Sequence, residues 1–347
     1  MASSIQNEGL AQHVLPPAEN QVLVLDQTSE PPKPRDISAD FNYYGGPPES
    51  GPPTPYYVDR PQRYGVTPIT QRLTVHDVRE QEDQYTLDST GFDFYTHTSA
   101  EKDFVDDEKI RSVYYPETEE LLKKCKYQHR ALFLSLLAAH IPARTGAPKV
   151  HIAGHTVRGQ PLDSRSNTIP KITAQEATDS PTIVPATRSS PGPVKRVHID
   201  LSYAGAFGYA AYHLPGEAET LLKGRFQVIN VWCLIKTVLK DPLAVTSANS
   251  VFDDELVPVK SIHTHREGEA CSVRPAAEER TDGGHKWHYP FKQTPGEVML
   301  IKVFDSKTDG RARRVPHSAF VDEDFVSEDL RESIEVRALV FHPEDTE

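Results

Sequence analysis

Residues 195–203 read Lys-Arg-Val-His-Ile-Asp-Leu-Ser-Tyr, and this alternation of apolar and polar side chains predicts a β-strand. Successive side chains of a strand point to opposite faces, so positions 197, 199 and 201 share one face while His198, Asp200 and Ser202 share the other. The strand therefore presents an imidazole and a carboxylate side by side. One further histidine would complete a two-histidine, one-carboxylate set of iron ligands with open coordination positions, which is typical of non-haem iron oxygenases.

The spacing His-x-Asp/Glu is common and needs its context. With 15 histidines and 50 acidic residues in 347, about two such triplets are expected by chance. Three occur, namely His198/Asp200, His265/Glu267 and His342/Glu344. Only the first lies in an alternating run, because His265 has polar neighbours typical of a loop and His342 follows the last predicted strand at the terminus. A solvated polar strand face remains an alternative explanation of the first triplet.

Composition and charge limit the class of protein. The chain is 37% hydrophobic and contains 29 prolines, so long irregular segments are expected beside a compact core. A formal net charge of −12 argues against nucleic acid or an anionic membrane as the main partner. A small acidic ligand stays compatible with that charge, since a few arginines can dominate a pocket. The partner that we expect is a small molecule.

Cysteine usage and the N-terminal sequence predict a cytoplasmic protein. Cys125, Cys233 and Cys271 are too few and too scattered for a disulfide framework or a cysteine-type zinc site, which favours a reducing compartment. Residues 1–8 lack the basic and apolar regions of a signal peptide. The most apolar run, residues 131–139, is about half as long as a membrane span.

The chain divides into an N-terminal arm and one domain. Residues 1–64, with a Pro/Gly-rich tract before residue 56, predict an extended arm with one short strand at 21–25. Residues 65–347 predict a single domain with a flexible insertion at about 156–194, which is rich in Ser, Thr and Pro.

The elements of that domain predict a mainly β fold with flanking helices, as an antiparallel sandwich or barrel. Helices are predicted at 116–139 and 215–222, with a short one opening at 108–110. Strands are predicted at 73–78, 91–95, 150–155, 196–201, 226–232, 243–246, 286–289, 297–304 and 333–341.

The C-terminal strand supports the iron hypothesis. One face of residues 331–341 carries Arg331, Ser333, Glu335 and Arg337, and so polar a face requires a charged partner or a wet cavity. An arginine with a hydroxyl two residues later suits a carboxylate, and several iron oxygenases bind the distal carboxylate of 2-oxoglutarate in this way. His317 precedes Arg331 by 14 residues, enough for a loop and a return strand. The alternative is an edge strand with surface salt bridges.

In combination, these motifs resemble the fungal iron/2-oxoglutarate oxygenases related to gibberellin desaturase and the aspergillic acid hydroxylase. The similarity extends over about residues 65–341. The segments that carry it are 87–92, 114–117, 145–147, 155–158, 197–203, 230–232, 241–244, 287–289, 304–306, 316–317 and 331–341.

The resemblance implies a fold, a ligand set and a reaction. The fold is a double-stranded β-helix (a jelly-roll, cupin-like core), with ferrous iron on His198, Asp200 and His317 and with 2-oxoglutarate on Arg331 and Ser333. Dioxygen is the third cofactor, and the reaction oxidises an unactivated C–H bond by hydroxylation, desaturation or ring closure. The implied substrate is a small specialised metabolite or an amino-acid derivative of fungal secondary metabolism. The candidate substrate-pocket residues are Tyr203, Trp232, Trp287, Arg337, Leu339 and Phe341.

One departure from the family pattern concerns the pocket. Relatives usually have Arg-Pro after Asn-Val-Trp, where this chain has Cys233 and Leu234. If that arginine touches substrate or cosubstrate, the pocket differs here, and Lys236 is a candidate replacement.

Two other classes of protein remain open from the sequence. A metal-dependent hydrolase or isomerase on a cupin-like barrel would use the same three ligands, but it would not explain Arg331 and Ser333. A non-catalytic binding protein with a degenerate site would lack one of the ligands, whereas all three are present. The sequence alone leaves the oligomeric state open.

Overall fold

The structure is a computed structural model, and it describes residues 33–46, 53–57, 66–136, 149–159, 192–263 and 265–346, without the side chains of residues 126–136. Residues Lys33–Glu347 form one compact unit. The strands are β1 Ile37–Tyr43, β2 Tyr56–Tyr57, β3 Ile69–Asp77, β4 Phe92–Thr96, β5 Lys149–Arg158, β6 His198–Ile199, β7 Arg225–Leu234, β8 Leu243–Thr246, β9 Leu256–Ile262, β10 Glu267–Val273, β11 Trp287–Tyr289, β12 Glu297–Asp305, β13 His317–Ala319 and β14 Ser333–His342. The α-helices are α1 Asp107–Lys109, α2 Tyr115–Leu136, α3 Tyr203–His213 and α4 Ala218–Leu221. A π-helical turn, Ile110–Tyr114, joins α1 to α2, and short 3₁₀ turns lie at Glu82–Gln84, Ala248–Ser250, Asp253–Glu255 and Glu323–Phe325.

The described strands form two sheets. The larger sheet has the order β1-β3-β11-β8-β13-β6-β10-β9-β2, and the smaller has the order β4-β12-β7-β14-β5. Pairing is antiparallel throughout the smaller sheet. The prediction of a mainly β fold with flanking helices is confirmed.

The smaller sheet has one face toward the larger sheet and one toward helix α2. Ile334, Val336 and Val340 of β14 pack with Leu121 and Leu122 of α2. Leu339 and Phe341, which alternate with them, instead join a core cluster whose members come from both sheets. Polar residues on that inner face of β14 therefore point into the space between the sheets.

The position of β14 excludes the edge-strand explanation of its polar face. It lies between β7 and β5 and pairs with both, so it is not an edge strand. Surface salt bridges on an edge strand therefore do not explain its polar face.

Helix α3 begins directly after β6. Ser202 caps it, because its hydroxyl oxygen accepts a hydrogen bond from the amide of Gly205 at 2.9 Å. The strand predicted at 196–201 is shorter than expected for this reason. Ser202 was predicted on the face of His198 and Asp200, and that prediction was wrong because the chain has already turned into the helix.

Several other predicted elements differ from the observed ones. Strands β1, β9 and β10 and helix α3 were not predicted, and the helix predicted at 215–222 is the short α4. His342 was expected at a fraying terminus, but it is the buried last residue of β14 and contacts Oε1 of Gln227 at 2.9 Å. The strand predicted at 21–25 and the central part of the predicted insertion, 160–191, lie outside the described residues. The division of the chain at residue 64 stays a prediction. Of the helices described, none is long and apolar enough to cross a membrane.

Candidate active site

The three side chains predicted as iron ligands lie together on two neighbouring strands. His198 begins β6, Asp200 directly follows that strand, and His317 begins β13 and pairs in register with His198. Nε2 of each histidine lies 3.7 Å from a carboxylate oxygen of Asp200, and the imidazole centroids are 4.4 Å apart. The available ligand atoms all lie within 4.8 Å of one another.

Two backbone carbonyls orient the imidazoles. Nδ1 of His198 lies 2.8 Å from the carbonyl oxygen of Arg196, and Nδ1 of His317 lies 3.2 Å from that of Val315. Since a carbonyl only accepts, each Nδ1 donates, and each Nε2 keeps its lone pair for a metal. Burial, together with the neighbouring His317, lowers the pKa of His198 to about 3. The imidazole is therefore neutral, which is the form that binds metal.

Two side chains from the smaller sheet contact Asp200. Its Oδ2 accepts a hydrogen bond from Nδ2 of Asn230 at 2.6 Å and lies 2.8 Å from Nη2 of Arg337. Nε of Arg337 donates to Oδ1 of Asn230 at 3.1 Å, so the three side chains form a closed triangle. Burial alone would raise the pKa of Asp200, but the charge of Arg337, with the hydrogen bond from Asn230, lowers it. The carboxylate is thus ionised and its orientation is fixed.

This donor set fits ferrous iron. Two neutral imidazoles and one carboxylate supply the ligand types found in non-haem iron oxygenases. Metal–ligand bonds of about 2.0–2.2 Å place neighbouring ligand atoms about 3–4 Å apart. The separation of 3.7 Å between Nε2 of His198 and Oδ1 of Asp200 already lies in that range.

Arg331 is a buried cation that keeps a free donor. It is 5% exposed, and its Nη1 donates to the carbonyl oxygen of Asp241 at 2.9 Å. Its Nε has no hydrogen-bond partner among the described residues, and its guanidinium lies over the ring of Trp232. Burial, then the charge of Arg158, lowers the pKa of Arg331 to about 10. A buried guanidinium with an unused donor and a second cation nearby suits a carboxylate ligand.

The inner face of β14 connects Arg331 to Asp200. Ser333 is buried and lies in register between Leu234 of β7 and Arg158 of β5. Glu335 follows on the same face, and burial and the charge of Asp200 raise the pKa of its carboxyl group. The structure thus brings the predicted iron and 2-oxoglutarate residues to one space between the sheets.

Two of the six candidate pocket residues contact this space. Arg337 pairs with Asp200, and Trp232 lies 5.4 Å from the guanidinium of Arg331. Tyr203 lies elsewhere, because its hydroxyl donates to Asp253 at 2.9 Å and its ring lies under the guanidinium of Arg313.

The other three candidate pocket residues are fully buried members of the main core. Trp287 stacks on Phe41 with ring centroids 3.9 Å apart, and Leu339 and Phe341 belong to the same cluster. Their role as pocket walls stays a prediction.

Cys233, which stands where relatives usually have an arginine, lies away from the predicted iron ligands. Asn230 and Trp232 share the inner face of β7, whereas Cys233 packs in the cluster under helix α2. Burial raises the pKa of its thiol to about 11. Lys236 pairs with Glu332 and is largely exposed. Neither residue replaces a charged group beside Asp200.

Sequence reasoning did not identify the role of Asn230 or Glu335. Asn230 is an amide in a strand whose ten residues are all buried, and a polar side chain in such a strand must have a polar partner. That signal was available in the sequence. The partner was not, because Asp200 lies on the other sheet.

Comparison with known proteins identifies the family. A family model described as an oxidoreductase/YMDC permease-like domain matches residues 41–136 and 128–341. The hydroxylase/desaturase CTB9 of Cercospora beticola is 35% identical over 281 residues, which are 78% of this chain and 76% of that protein. The alpha-ketoglutarate-dependent dioxygenase phiK of a fungal species is 31% identical over 88% of this chain and 95% of its own length.

A solved structure supports the fold. The iron and alpha-ketoglutarate-dependent endoperoxidase NvfI superposes with a TM-score of 0.56 at 24% identity, covering 88% of this chain and 98% of its own. The predicted jelly-roll core is confirmed, and the comparisons match the oxygenase hypothesis rather than the hydrolase alternative. The chain belongs to the fungal hydroxylase/desaturase family of oxygenases that depend on ferrous iron, 2-oxoglutarate and dioxygen and act on small molecules in secondary metabolism.

Proposed function

We propose that His198, Asp200 and His317 hold the ferrous iron of this oxygenase and that Arg331 and Ser333 bind the distal carboxylate of 2-oxoglutarate. The observation that carries the proposal is the convergence of the two residue sets. The histidines lie on the larger sheet and Asp200 directly follows its strand β6, while Ser333 begins β14 of the facing sheet and Arg331 lies two residues before it.

Each residue has a defined task in this proposal. The Nε2 atoms of His198 and His317 and one oxygen of Asp200 bind the metal, while Asn230 and Arg337 hold the second oxygen. The buried guanidinium of Arg331 neutralises the cosubstrate carboxylate, and the hydroxyl of Ser333 adds one donor.

When bound, iron, 2-oxoglutarate and dioxygen would supply the oxidant for hydrogen abstraction from an unactivated C–H bond, with the 2-oxo acid converted to succinate and carbon dioxide. The chain excludes water and orients the small-molecule substrate so that one C–H bond faces the iron. Hydroxylation, desaturation and ring closure all follow from that first abstraction.

An anaerobic titration tests the residue assignments. Ferrous iron and 2-oxoglutarate added to the metal-free protein are expected to give a weak metal-to-ligand charge-transfer band near the middle of the visible spectrum. The band should vanish in His317→Ala and weaken in Arg331→Ala. His288→Ala and Arg274→Gln serve as controls, because neither residue contacts the metal residues, and both should retain the band. An unchanged band in His317→Ala would contradict the metal assignment, and an unchanged band in Arg331→Ala would contradict the cosubstrate assignment.

A further inference from the structure

A second cation lies close to the metal residues and has no acidic partner in the described part of the chain. It is Arg266, the last residue of the turn before β10, and its side chain is half-buried. The neighbouring carboxylates are engaged elsewhere or exposed: Glu269 accepts a hydrogen bond from the hydroxyl of Ser202, and Glu267 faces solvent. Arg337, in contrast, is neutralised by its ion pair with Asp200.

Two tyrosines of helix α3 place Arg266 beside the site. Its guanidinium carbon lies 5.4 Å from the ring centroid of Tyr209 and 5.5 Å from that of Tyr212. The guanidinium of Arg337 lies 5.7 Å from the same Tyr209 ring. Arg266 and the arginine that contacts Asp200 therefore lie beside the same buried tyrosine ring.

Two arginines, Arg266 and Arg337, lie over the ring of Tyr209. The neighbouring His213 adds no charge, because burial, then His151, lowers its pKa to about 4. Burial and the charge of Arg337 lower the pKa of Arg266, so ordering this cation here costs free energy unless an anion joins it. This arrangement is unusual in a chain with a net charge of −12, where acidic partners are plentiful.

We propose that Arg266 binds a carboxylate of the primary substrate, with the rings of Tyr209 and Tyr212 lining the subsite, so that the substrate is a small carboxylic acid. This inference rests on the proposed function, because it takes the space beside Asp200 as the site of oxidation. The guanidinium offers a pair of parallel donors that matches a carboxylate, and the two rings offer flat surfaces for an adjoining hydrocarbon skeleton. The carboxylate of 2-oxoglutarate is bound separately, by Arg331.

A pair of isosteric probes tests the proposal. The protein loaded anaerobically with ferrous iron and saturating 2-oxoglutarate is titrated by calorimetry with 2-naphthoate and with the neutral 2-naphthamide. We expect 2-naphthoate to bind at least about tenfold more tightly, as a charge-assisted hydrogen-bond pair provides. Arg266→Gln should remove that preference, and Arg266→Lys should keep part of it.

Arg274→Gln is the matched control, because Arg274 also lies over a tyrosine ring, that of Tyr44 at 5.8 Å, away from the metal residues. It should bind both probes as the unchanged protein does. Equal binding of the two probes, no binding of 2-naphthoate, or an undiminished preference in Arg266→Gln would each overturn the inference.

The charge-transfer band, recorded in the same samples, separates this inference from the proposed function. Loss of the band on adding 2-naphthoate would show that the probe displaces 2-oxoglutarate, and this too would count against the inference. No band in the unchanged protein before any probe is added would instead contradict the proposed function. A band without a probe preference would contradict only the carboxylate subsite.

Discussion

Asn230 is one of the two residues through which the smaller sheet contacts Asp200, a proposed iron ligand. Its amide donates to Oδ2 of Asp200 at 2.6 Å and accepts from Nε of Arg337. Partners of metal-binding side chains typically contribute about 10–100-fold in metal affinity. We therefore predict that Asn230→Ala weakens ferrous iron binding by about 10–100-fold, as measured by anaerobic competition with a chromophoric chelator.

Asn249 provides the control for that change. Its amide also donates one hydrogen bond, to the carbonyl oxygen of Ser89 at 2.9 Å, but it lies on the exposed side of the chain. Asn249→Ala should leave iron affinity within experimental error. Equal affinities for the two variants would show that the Asn230 amide does not position Asp200.

The residues of the site differ in how far the sequence predicts them. His198 and Asp200 stand in an alternating run, and Arg331 and Ser333 have the same spacing, so the local pattern makes them candidates and the family resemblance selects them. Arg266 gives no local signal, because its importance depends on tyrosines of another element and on carboxylates that are absent from its surroundings. Side chains that act through tertiary contacts are not visible in a single sequence.

At the scale of elements, helix α3 packs closely on β10 through one glycine. A Cβ atom on Gly205 would lie 2.2 Å from the carbonyl oxygen of Glu269, and this backbone atom cannot move without displacing β10. Gly208, on the same helix, has open space around the same position. Gly205→Ala is therefore predicted to destabilise the protein by about 1–3 kcal/mol. Gly208→Ala should stabilise it by about 0.5–1 kcal/mol through helix propensity.

Chemical denaturation of the two variants checks this pair. Both substitutions add one methyl group to the same helix and raise its helix propensity. If Gly205→Ala destabilises the protein while Gly208→Ala stabilises it, the destabilisation comes from the contact with Glu269. Similar shifts of both midpoints in one direction would argue that α3 does not approach β10 as closely as described.

Strand β12 is joined to β7 by a buried charge cluster. Asp305 is fully buried and accepts hydrogen bonds from Nη2 of Arg225 at 2.6 Å and Nζ of Lys302 at 2.9 Å. Removing one partner of a buried ion pair typically costs about 3–5 kcal/mol, since an uncompensated charge remains. Asp305→Asn should lower the free energy of unfolding by about that amount, and the exposed Asp309→Asn should change it by less than about 0.5 kcal/mol.

The same cluster predicts a pH dependence. Burial alone would raise the pKa of Asp305, but the hydrogen bonds and charges of Arg225 and Lys302 lower it below its ordinary value. Because the native-state pKa lies below the unfolded value of about 3.9, the stabilisation is complete above that pH. It is lost as the pH falls through the native-state pKa. The difference in unfolding free energy between the unchanged protein and Asp305→Asn should stay constant from about pH 6 to 8 and narrow below about pH 4. A constant difference into acid would contradict the ionised pair.

Elements were predicted best where burial is continuous. Strands β7, β8 and β12 are almost wholly buried and read as apolar runs, and their predicted bounds lie within two residues of the observed ones. Strand β9 contains a proline and a lysine, both exposed, β10 begins with Glu-Gly-Glu, and α3 contains two glycines, so their local signals are weak. Tertiary pairing, rather than local propensity, forms these elements.

For the whole molecule, the division of the site between two sheets is the feature that the sequence shows least. The predicted iron residues lie on the larger sheet, while Arg331, Asn230 and Arg337 come from the smaller one. A jelly-roll topology brings strands together that are distant in the chain, so their facing residues follow from the fold and not from spacing. The family resemblance was therefore needed to predict that Arg331 and His317 serve one site.

This division predicts that metal and 2-oxoglutarate stabilise the protein cooperatively. Under the proposed assignments, iron would be held by His198, Asp200 and His317 and 2-oxoglutarate by Arg331, so that the two ligands bound together would join the two sheets. A ligand at a hundred times its dissociation constant adds about 2.7 kcal/mol to stability. In anaerobic calorimetry, the rise in unfolding temperature with both ligands should exceed the sum of the separate rises, and a chelator should abolish the excess.

Arg331→Ala should keep the rise caused by iron and lose the additional rise caused by 2-oxoglutarate. Purely additive shifts, or an undiminished 2-oxoglutarate increment in Arg331→Ala, would show that the cosubstrate does not connect the two sheets.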